Sequence, residues 1–140
     1  MSMNIIVAGG SGFIGRALIH RLAEDDHRVV VLTRNASSAS SSFSGRIVAE
    51  RWYARTLGSW KTIVENADAV VNLVGESIGG KRWSKNQKSI LLSSRIDATD
   101  VLVEAMRSAK HKPSVFVSAS AVGYYGNIEE GDVTEDAKPG

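Results

Sequence analysis

The sequence predicts a doubly wound α/β fold: a parallel sheet of five strands in the order 3-2-1-4-5, incomplete at its C-terminal end. Short, wholly apolar runs recur along the chain, as in strands buried on both faces. Stretches with helical spacing of apolar residues separate them, which indicates right-handed crossover connections. The length of 140 residues fits one domain, and the 43% of hydrophobic residues suffice for a core.

The first strand, helix and second strand are predicted at the N-terminus. Residues 5–8 form strand one, and the glycine-rich segment 9–15 leads into a helix that ends near Asp25. Residues 29–32 form strand two. The predicted apolar stripe of the helix comprises Ile14, Ala17, Leu18 and Leu22.

The middle of the chain changes character. Residues 34–46 predict a mobile loop because serine dominates them. Residues 47–53 are the predicted third strand, and the apolar positions within 57–64 suggest a short second helix. The serines of the loop are Ser37, Ser38, Ser40, Ser41, Ser42 and Ser44.

The remaining elements complete the alternation. Residues 69–74 are the fourth strand, residues 84–109 a long helix, and residues 115–117 the fifth strand, followed by a polar, acidic, loop-like tail over 127–140. The long helix has an apolar stripe of Leu91, Ala98, Val101, Leu102 and Ala105.

The glycine-rich turn after strand one carries the strongest chemical pattern. Gly9, Gly12 and Gly15 form G-x-x-G-x-x-G, a variant of the dinucleotide-binding fingerprint. The first glycine permits a sharp turn, the second lets a pyrophosphate approach the backbone, and the third lets the helix pack on the strand. The start of the helix, at Phe13 and Ile14, supplies free N–H groups for the phosphates. The alternative is a tight turn without a ligand.

The end of strand two indicates which cofactor is preferred. An NAD-binding fold usually places an acid there for the ribose 2′-hydroxyl, whereas this chain has Thr33 and Arg34. A guanidinium suits a phosphate, so we predict NADP, with NAD as a possible second cofactor. The alternative is a surface arginine in a loop.

Two further strand ends are candidate site segments. Leu73, Val74 and Gly75 follow strand four, where they would line the adenosine and allow its close passage. Ser118 and Ser120 follow strand five and place hydroxyls at the same edge of the sheet. The alternatives are an ordinary strand-to-loop junction and serines that cap a strand end.

Together these segments resemble the extended short-chain dehydrogenase/reductase superfamily, and most closely its atypical branch of NAD(P)-dependent, sugar-nucleotide epimerase-like proteins. The resemblance covers nearly the whole chain. It is carried by residues 9–15 (Gly-Gly-Ser-Gly-Phe-Ile-Gly), 72–78 (Asn-Leu-Val-Gly-Glu-Ser-Ile), Arg82-Trp83, Ser94-Arg95-Ile96 and 118–126 (Ser-Ala-Ser-Ala-Val-Gly-Tyr-Tyr-Gly).

The resemblance implies an NADP-binding Rossmann fold and assigns roles to single residues. Thr33 and Arg34 would meet the 2′-phosphoribose, and Arg95 would be a further cofactor contact. Ser118 would pass beside the nicotinamide, and Ser120 would be the catalytic serine that binds the reacting oxygen. The implied function is an NADP-dependent oxidoreductase or epimerase acting on a sugar-like or nucleotide-sugar substrate.

One family feature is missing from this sequence. The superfamily's proton donor is a tyrosine with a lysine four residues later, and none of the three tyrosines here has one. Relatives are about twice as long, so residues 1–140 are expected to be the N-terminal, cofactor-binding part of a longer architecture. The alternative function is therefore a non-catalytic NADP(H)-binding module or a truncated cofactor-binding fragment.

Composition restricts the remaining partners. The net charge of +2 without a basic tract argues against nucleic acid, and no apolar run is long enough for a membrane span. Zero cysteines and three scattered histidines predict no metal site, and we expect a cytoplasmic protein. An unpaired sheet edge would favour a homo-oligomer.

Overall fold

The computed structural model describes residues 1–40, 43 and 45–140. Five parallel strands form one sheet in the order β3-β2-β1-β4-β5, so the predicted strand order is confirmed. The strands are β1 (Asn4–Ala8), β2 (Arg28–Thr33), β3 (Ile47–Arg51), β4 (Ala69–Asn72) and β5 (Val115–Ser118). The α-helices are α1 (Phe13–Glu24), α2 (Ala36–Ser40), α3 (Lys61–Val64) and α4 (Lys85–Ser108), and a 3₁₀ helix follows at Val122–Tyr125.

The core lies on both faces of the sheet because side chains alternate along each strand. In β1, Ile5 and Val7 pack on the face that also buries Ile19 of α1. Ile6 and Ala8 pack on the other face, against the predicted stripe of α4 and two tryptophans. The stripe residues in that second group are Ala98, Val101, Leu102 and Ala105, and the tryptophans are Trp52 and Trp60.

Two predictions about the helices are wrong in part. The buried residues of α1 are Gly15 and Ile19, whereas Ile14 and Ala17 of the predicted stripe are exposed, because the helix is rotated so that Gly15 meets the turn before it. The predicted second helix is only α3, and Leu57 lies outside it, exposed to solvent.

The predicted loop over 34–46 is wrong for Ala36–Ser40, which form α2. The Asn35 carbonyl accepts the Ala39 N–H at 3.0 Å, and asparagine is a favoured residue at helix starts. Ser41, Ser42 and Ser44 of that predicted loop lie outside the described residues. Strands three and four are shorter than predicted, ending at Arg51 and Asn72.

The carboxyl ends of the strands meet at one edge of the sheet. Ala8 pairs with Leu32 and Asn72, Thr33 with Arg51, and Asn72 with Ser118. The connections that leave these ends therefore converge, and they form the candidate site. β5 is an edge strand, and its side chains are exposed. Within the described residues, no helix combines the length and the apolar character needed to cross a bilayer.

Candidate cofactor site

The turn between β1 and α1 is built from backbone packed too closely for side chains. Gly9 has φ +86, a conformation that favours glycine, and a Cβ there would lie 2.9 Å from the Leu73 carbonyl group. A Cβ on Gly15 would overlap the Gly9 carbonyl oxygen and lie 2.7 Å from Gly10 Cα. The Gly12 N–H donates to the Gly9 carbonyl at 3.0 Å, which closes the turn. Gly9 and Gly15 therefore serve the steric roles that the sequence predicts, and the predicted approach of a pyrophosphate at Gly12 stays a prediction.

The same turn leaves the start of α1 open. Gly12 is the N-cap residue and has no side chain with which to accept from the first N–H groups of the helix. Phe13 is 96% exposed and Ile14 is exposed as well, so neither side chain at the helix start packs into the core. Unpaired N–H groups and the helix dipole together favour an anion at such a position.

A cavity of about 490 Å³ opens beside this turn, within the range of roughly 300–1,000 Å³ that ligand pockets occupy. It is bounded by the loops after β1, β2, β3 and β4 and by one face of α4. The lining residues are Gly9, Ser11, Gly12, Leu32, Thr33, Arg34, Trp52, Tyr53, Ala54, Arg55, Leu73, Val74, Gly75, Glu76, Ile90, Ser94 and Asp97.

Seven of the predicted cofactor-binding residues line this cavity. They are Gly9, Gly12, Thr33, Arg34, Leu73, Val74 and Gly75. Phe13, Ile14 and Gly15 belong to the adjoining first turn of α1, and Gly15 is buried beneath the glycine turn. The structure thus brings the segments after β1, β2 and β4 together, as the sequence predicts.

Arg95 is exposed and is not among the residues that line the cavity. Its guanidinium donates to the Leu91 carbonyl at 2.9 Å and to the Glu76 carbonyl at 3.3 Å. The guanidinium carbon would be 2.9 Å from a Cβ on Gly75, so the arginine packs directly on that glycine. In this conformation Arg95 holds the loop after β4 in place, and its predicted contact with a cofactor stays a prediction.

Ser118 and Ser120 stand at the end of β5, at the edge of the sheet that also carries the cavity. Both are exposed. The buried Asn72 side chain amide reaches Thr99 Oγ1 at 3.0 Å and Ser118 Oγ at 3.4 Å, and its oxygen accepts the Val74 N–H at 3.2 Å. Asn72 thereby ties the ends of β4 and β5 to α4. The catalytic role of Ser120 stays a prediction.

Charges in the cavity wall are balanced except at one position. Arg55 Nε lies 3.0 Å from Asp97 Oδ2, and Glu76 Oε1 lies 3.9 Å from Lys81 Nζ. Arg34 forms no ion pair with any described residue. A cavity with an uncompensated guanidinium next to a helix start is suited to an anionic ligand. The described residues include no group of three or more side chains placed to hold a metal ion.

Sequence reasoning missed the far wall of the cavity. On α4, Ile90, Ser94 and Asp97 line it, and their spacing of four and three residues is that of one helix face. This spacing was a usable signal. The segment from Trp52 to Arg55 supplies further missed side chains. Trp52 and Tyr53 end the predicted third strand, and Ala54 and Arg55 follow it directly. Ser11, Leu32 and Glu76 complete the missed set.

The fold and the site define a class: proteins with an open parallel sheet that bind a nucleotide where the strand order reverses. The model of the NAD dependent epimerase/dehydratase family matches residues 5–140. This chain belongs to that family, which confirms the predicted resemblance.

Individual relatives agree with this assignment. The chain is 40% identical over 145 residues to the chloroplastic epimerase family protein SDR39U1 homolog of Arabidopsis thaliana, covering 99% of this chain and 40% of that protein. It is 36% identical over 135 residues to the epimerase family protein YfhF of Bacillus subtilis, covering 96% of this chain and 43% of that protein. This chain therefore spans about two-fifths of the length of these relatives.

Two solved structures are similar in fold and sequence. The human epimerase family protein SDR39U1 (isoform 2), crystallised with NADPH, has a TM-score of 0.75 and 27% identity, over 98% of this chain and 43% of that one. MoeE5 in complex with UDP-glucose and NAD has a TM-score of 0.76 and 27% identity, over 97% of this chain and 42% of that one.

Proposed function

We propose that this chain binds NADP in the cavity beside the glycine turn. The observation that carries the proposal is the cradle of bare backbone at Gly9, Gly12 and Gly15, where added Cβ atoms would meet backbone. The cavity wall continues from this cradle to the uncompensated Arg34. The helix start and Arg34 are two positions suited to anions, and they match the pyrophosphate and the 2′-phosphate of NADP.

Each part of the cavity wall would bind a different part of the dinucleotide. The first N–H groups of α1 bind the pyrophosphate, and Arg34 binds the 2′-phosphate with Thr33 beside it. Leu73, Val74 and Gly75 lie along the adenosine. Human SDR39U1, crystallised with NADPH, is similar over 98% of this chain, which supports NADP for this chain too.

The proposed activity is that of an oxidoreductase or epimerase acting on a sugar-like or nucleotide-sugar substrate. NADP would supply the redox chemistry here: its oxidised form would accept a hydride from a carbinol carbon, and its reduced form would return one to the resulting carbonyl carbon. In the proposal Ser120 orients the reacting oxygen, and Ser118, at the end of β5, lies beside the nicotinamide. MoeE5, which was solved with UDP-glucose and NAD, supports this substrate class. Residues 1–140 are proposed as the cofactor-binding domain for this reaction.

Calorimetric titration with NADPH and NADH tests the binding proposal. We expect tight NADPH binding and weaker NADH binding. Arg34→Ala removes a charge-assisted hydrogen bond, so the NADPH preference is expected to fall by about 1.5–3 kcal/mol. Arg28→Ala is the matched control, because Arg28 is exposed at the opposite end of the same strand.

Three results would count against parts of this proposal. Equal binding of NADPH and NADH would refute the role of Arg34, as would a loss below about 0.3 kcal/mol in Arg34→Ala, well under the value of one such bond. Binding without turnover of any nucleotide-sugar would favour the second candidate, a non-catalytic NADP(H)-binding module. The absence of a tyrosine followed four residues later by lysine is the observation that favours this candidate.

A further inference from the structure

An arginine that the proposed function does not use faces the same cavity as Arg34. Arg55 lines it from the loop after β3, and Arg34 lines it from the end of β2. The two strands are neighbours, with Thr33 paired to Arg51, and the Trp52 N–H donates to the Thr33 carbonyl at 2.9 Å. The loops that carry the two guanidinium groups therefore start side by side.

The backbone before Arg55 is strained. Ala54 has φ +53, in the left-handed region that residues with a Cβ rarely adopt. Such conformations persist where the surroundings require them, and they are concentrated at binding sites. Here the bend comes directly before Arg55, and Ala54 lines the cavity as well.

The present partner of Arg55 is also part of the cavity wall. Arg55 Nε lies 3.0 Å from Asp97 Oδ2 on α4, and 67% of the arginine side chain and 36% of the aspartate side chain are exposed. Ion pairs with this exposure are weak, because water screens the charges. A phosphate binds a guanidinium through two parallel hydrogen bonds and carries more charge than a carboxylate.

We propose that Arg55 is a second residue that selects for the 2′-phosphate of NADP, and that Asp97 is its ion-pair partner while no 2′-phosphate is bound. The inference rests on the proposed function. On binding, the phosphate replaces the Asp97 carboxylate as the partner of Arg55, and it then lies between Arg55 and Arg34. Without a 2′-phosphate, Arg55 stays with Asp97, so NADH gains nothing from it.

The two partners should then act in opposite directions on the ratio of NADPH to NADH affinity. Arg55→Ala is expected to lower that ratio about tenfold, the effect of one charge-assisted hydrogen bond. Asp97→Asn frees the arginine and is expected to raise the ratio about two- to fivefold, the range for an exposed ion pair. Arg51→Ala, at the exposed end of β3, is the control and should leave the ratio unchanged.

Titration of the single variants and of the double variant with NADPH and NADH tests the proposal. If Asp97 acts through Arg55, Asp97→Asn changes the ratio less than twofold when Arg55 is already alanine. Equal losses of NADPH and NADH affinity in both single variants would overturn the proposal, since the ion pair would then only brace the cavity. A rise in the ratio from Asp97→Asn that survives the loss of Arg55 would also overturn it.

The same titrations distinguish a failure of the proposed function from a failure of the role proposed for Arg55. If the unsubstituted protein binds neither cofactor, the proposed function fails and this inference fails with it. If both cofactors bind and the ratios do not respond to Arg55 or Asp97, only this inference fails. Both side chains are at the surface, so both variants are expected to fold.

Discussion

Replacing Gly15 by alanine adds a single Cβ atom to the glycine cradle and so tests whether its backbone packing excludes a side chain. Alanine inside a helix is normally more stable than glycine by about 1 kcal/mol. Here the new Cβ would lie 2.7 Å from Gly10 Cα and 2.9 Å from Gly10 C, and it would overlap the Gly9 carbonyl oxygen. These neighbours are backbone atoms, so no rotation of a side chain relieves the contact.

The expected loss of stability follows from two opposing effects. Overpacking costs about 1–3 kcal/mol, and we take the upper end because backbone must move. The gain in helix propensity offsets about 1 kcal/mol, so the free energy of unfolding should fall by about 2 kcal/mol. For a domain of this size, the melting temperature should fall by roughly 6–8 °C.

Thermal unfolding by circular dichroism and calorimetric titration with NADPH measure both consequences. We expect Gly15→Ala to weaken NADPH binding as well, because the displaced turn carries the N–H groups proposed to grip the pyrophosphate. Gly79→Ala is the matched control, since no atom lies within 4 Å of its Cβ. If Gly15→Ala is as stable as this control and binds NADPH equally well, the steric reasoning is refuted.

Two further predictions concern the rest of the sheet edge. Asn72→Ala leaves Thr99 and the Val74 N–H without their bonds to the asparagine, so denaturant unfolding should show a loss of about 1–3 kcal/mol in the free energy of unfolding. The exposed control Asn66→Ala should stay within about 0.5 kcal/mol, and equal effects of the two substitutions would contradict the role of Asn72. The exposed apolar edge strand β5 predicts self-association, which Phe116→Lys should reduce in light scattering. A monomeric unsubstituted protein would contradict this second prediction.

The sheet was predictable because its evidence is local and repeated. Each apolar run, such as residues 5–8, has both faces covered, and β1 places Ile5 and Val7 on one face and Ile6 and Ala8 on the other. The ends of elements were less predictable. Tyr53 continues the pattern of β3 in sequence, yet the strand ends at Arg51 and the loop then bends at Ala54.

Seven of the seventeen residues that line the candidate site were predictable for the same reason. Gly9, Gly12 and Gly15 act on one another within seven residues, so their pattern alone indicates the cradle. Arg34 was found by its position at the end of β2. The pairing of Arg55 with Asp97 joins positions 42 residues apart through the packing of α4, and no local pattern carries that information.

Fold stability and cofactor selectivity are expected to depend on different parts of the site, the first on backbone packing and the second on exposed side chains. The glycine turn is proposed to bind the pyrophosphate through backbone N–H groups, and its atoms also contact the start of α1, so Gly15→Ala should reduce stability and affinity together. The roles proposed for Arg34 and Arg55 use exposed side chains at the cavity wall, where loss of a guanidinium removes little packing. Their substitution should therefore change which dinucleotide binds while the free energy of unfolding stays nearly constant. If the arginine variants lowered the free energy of unfolding as much as Gly15→Ala does, this separation would be wrong. Cofactor selectivity would then depend on the stability of the whole fold.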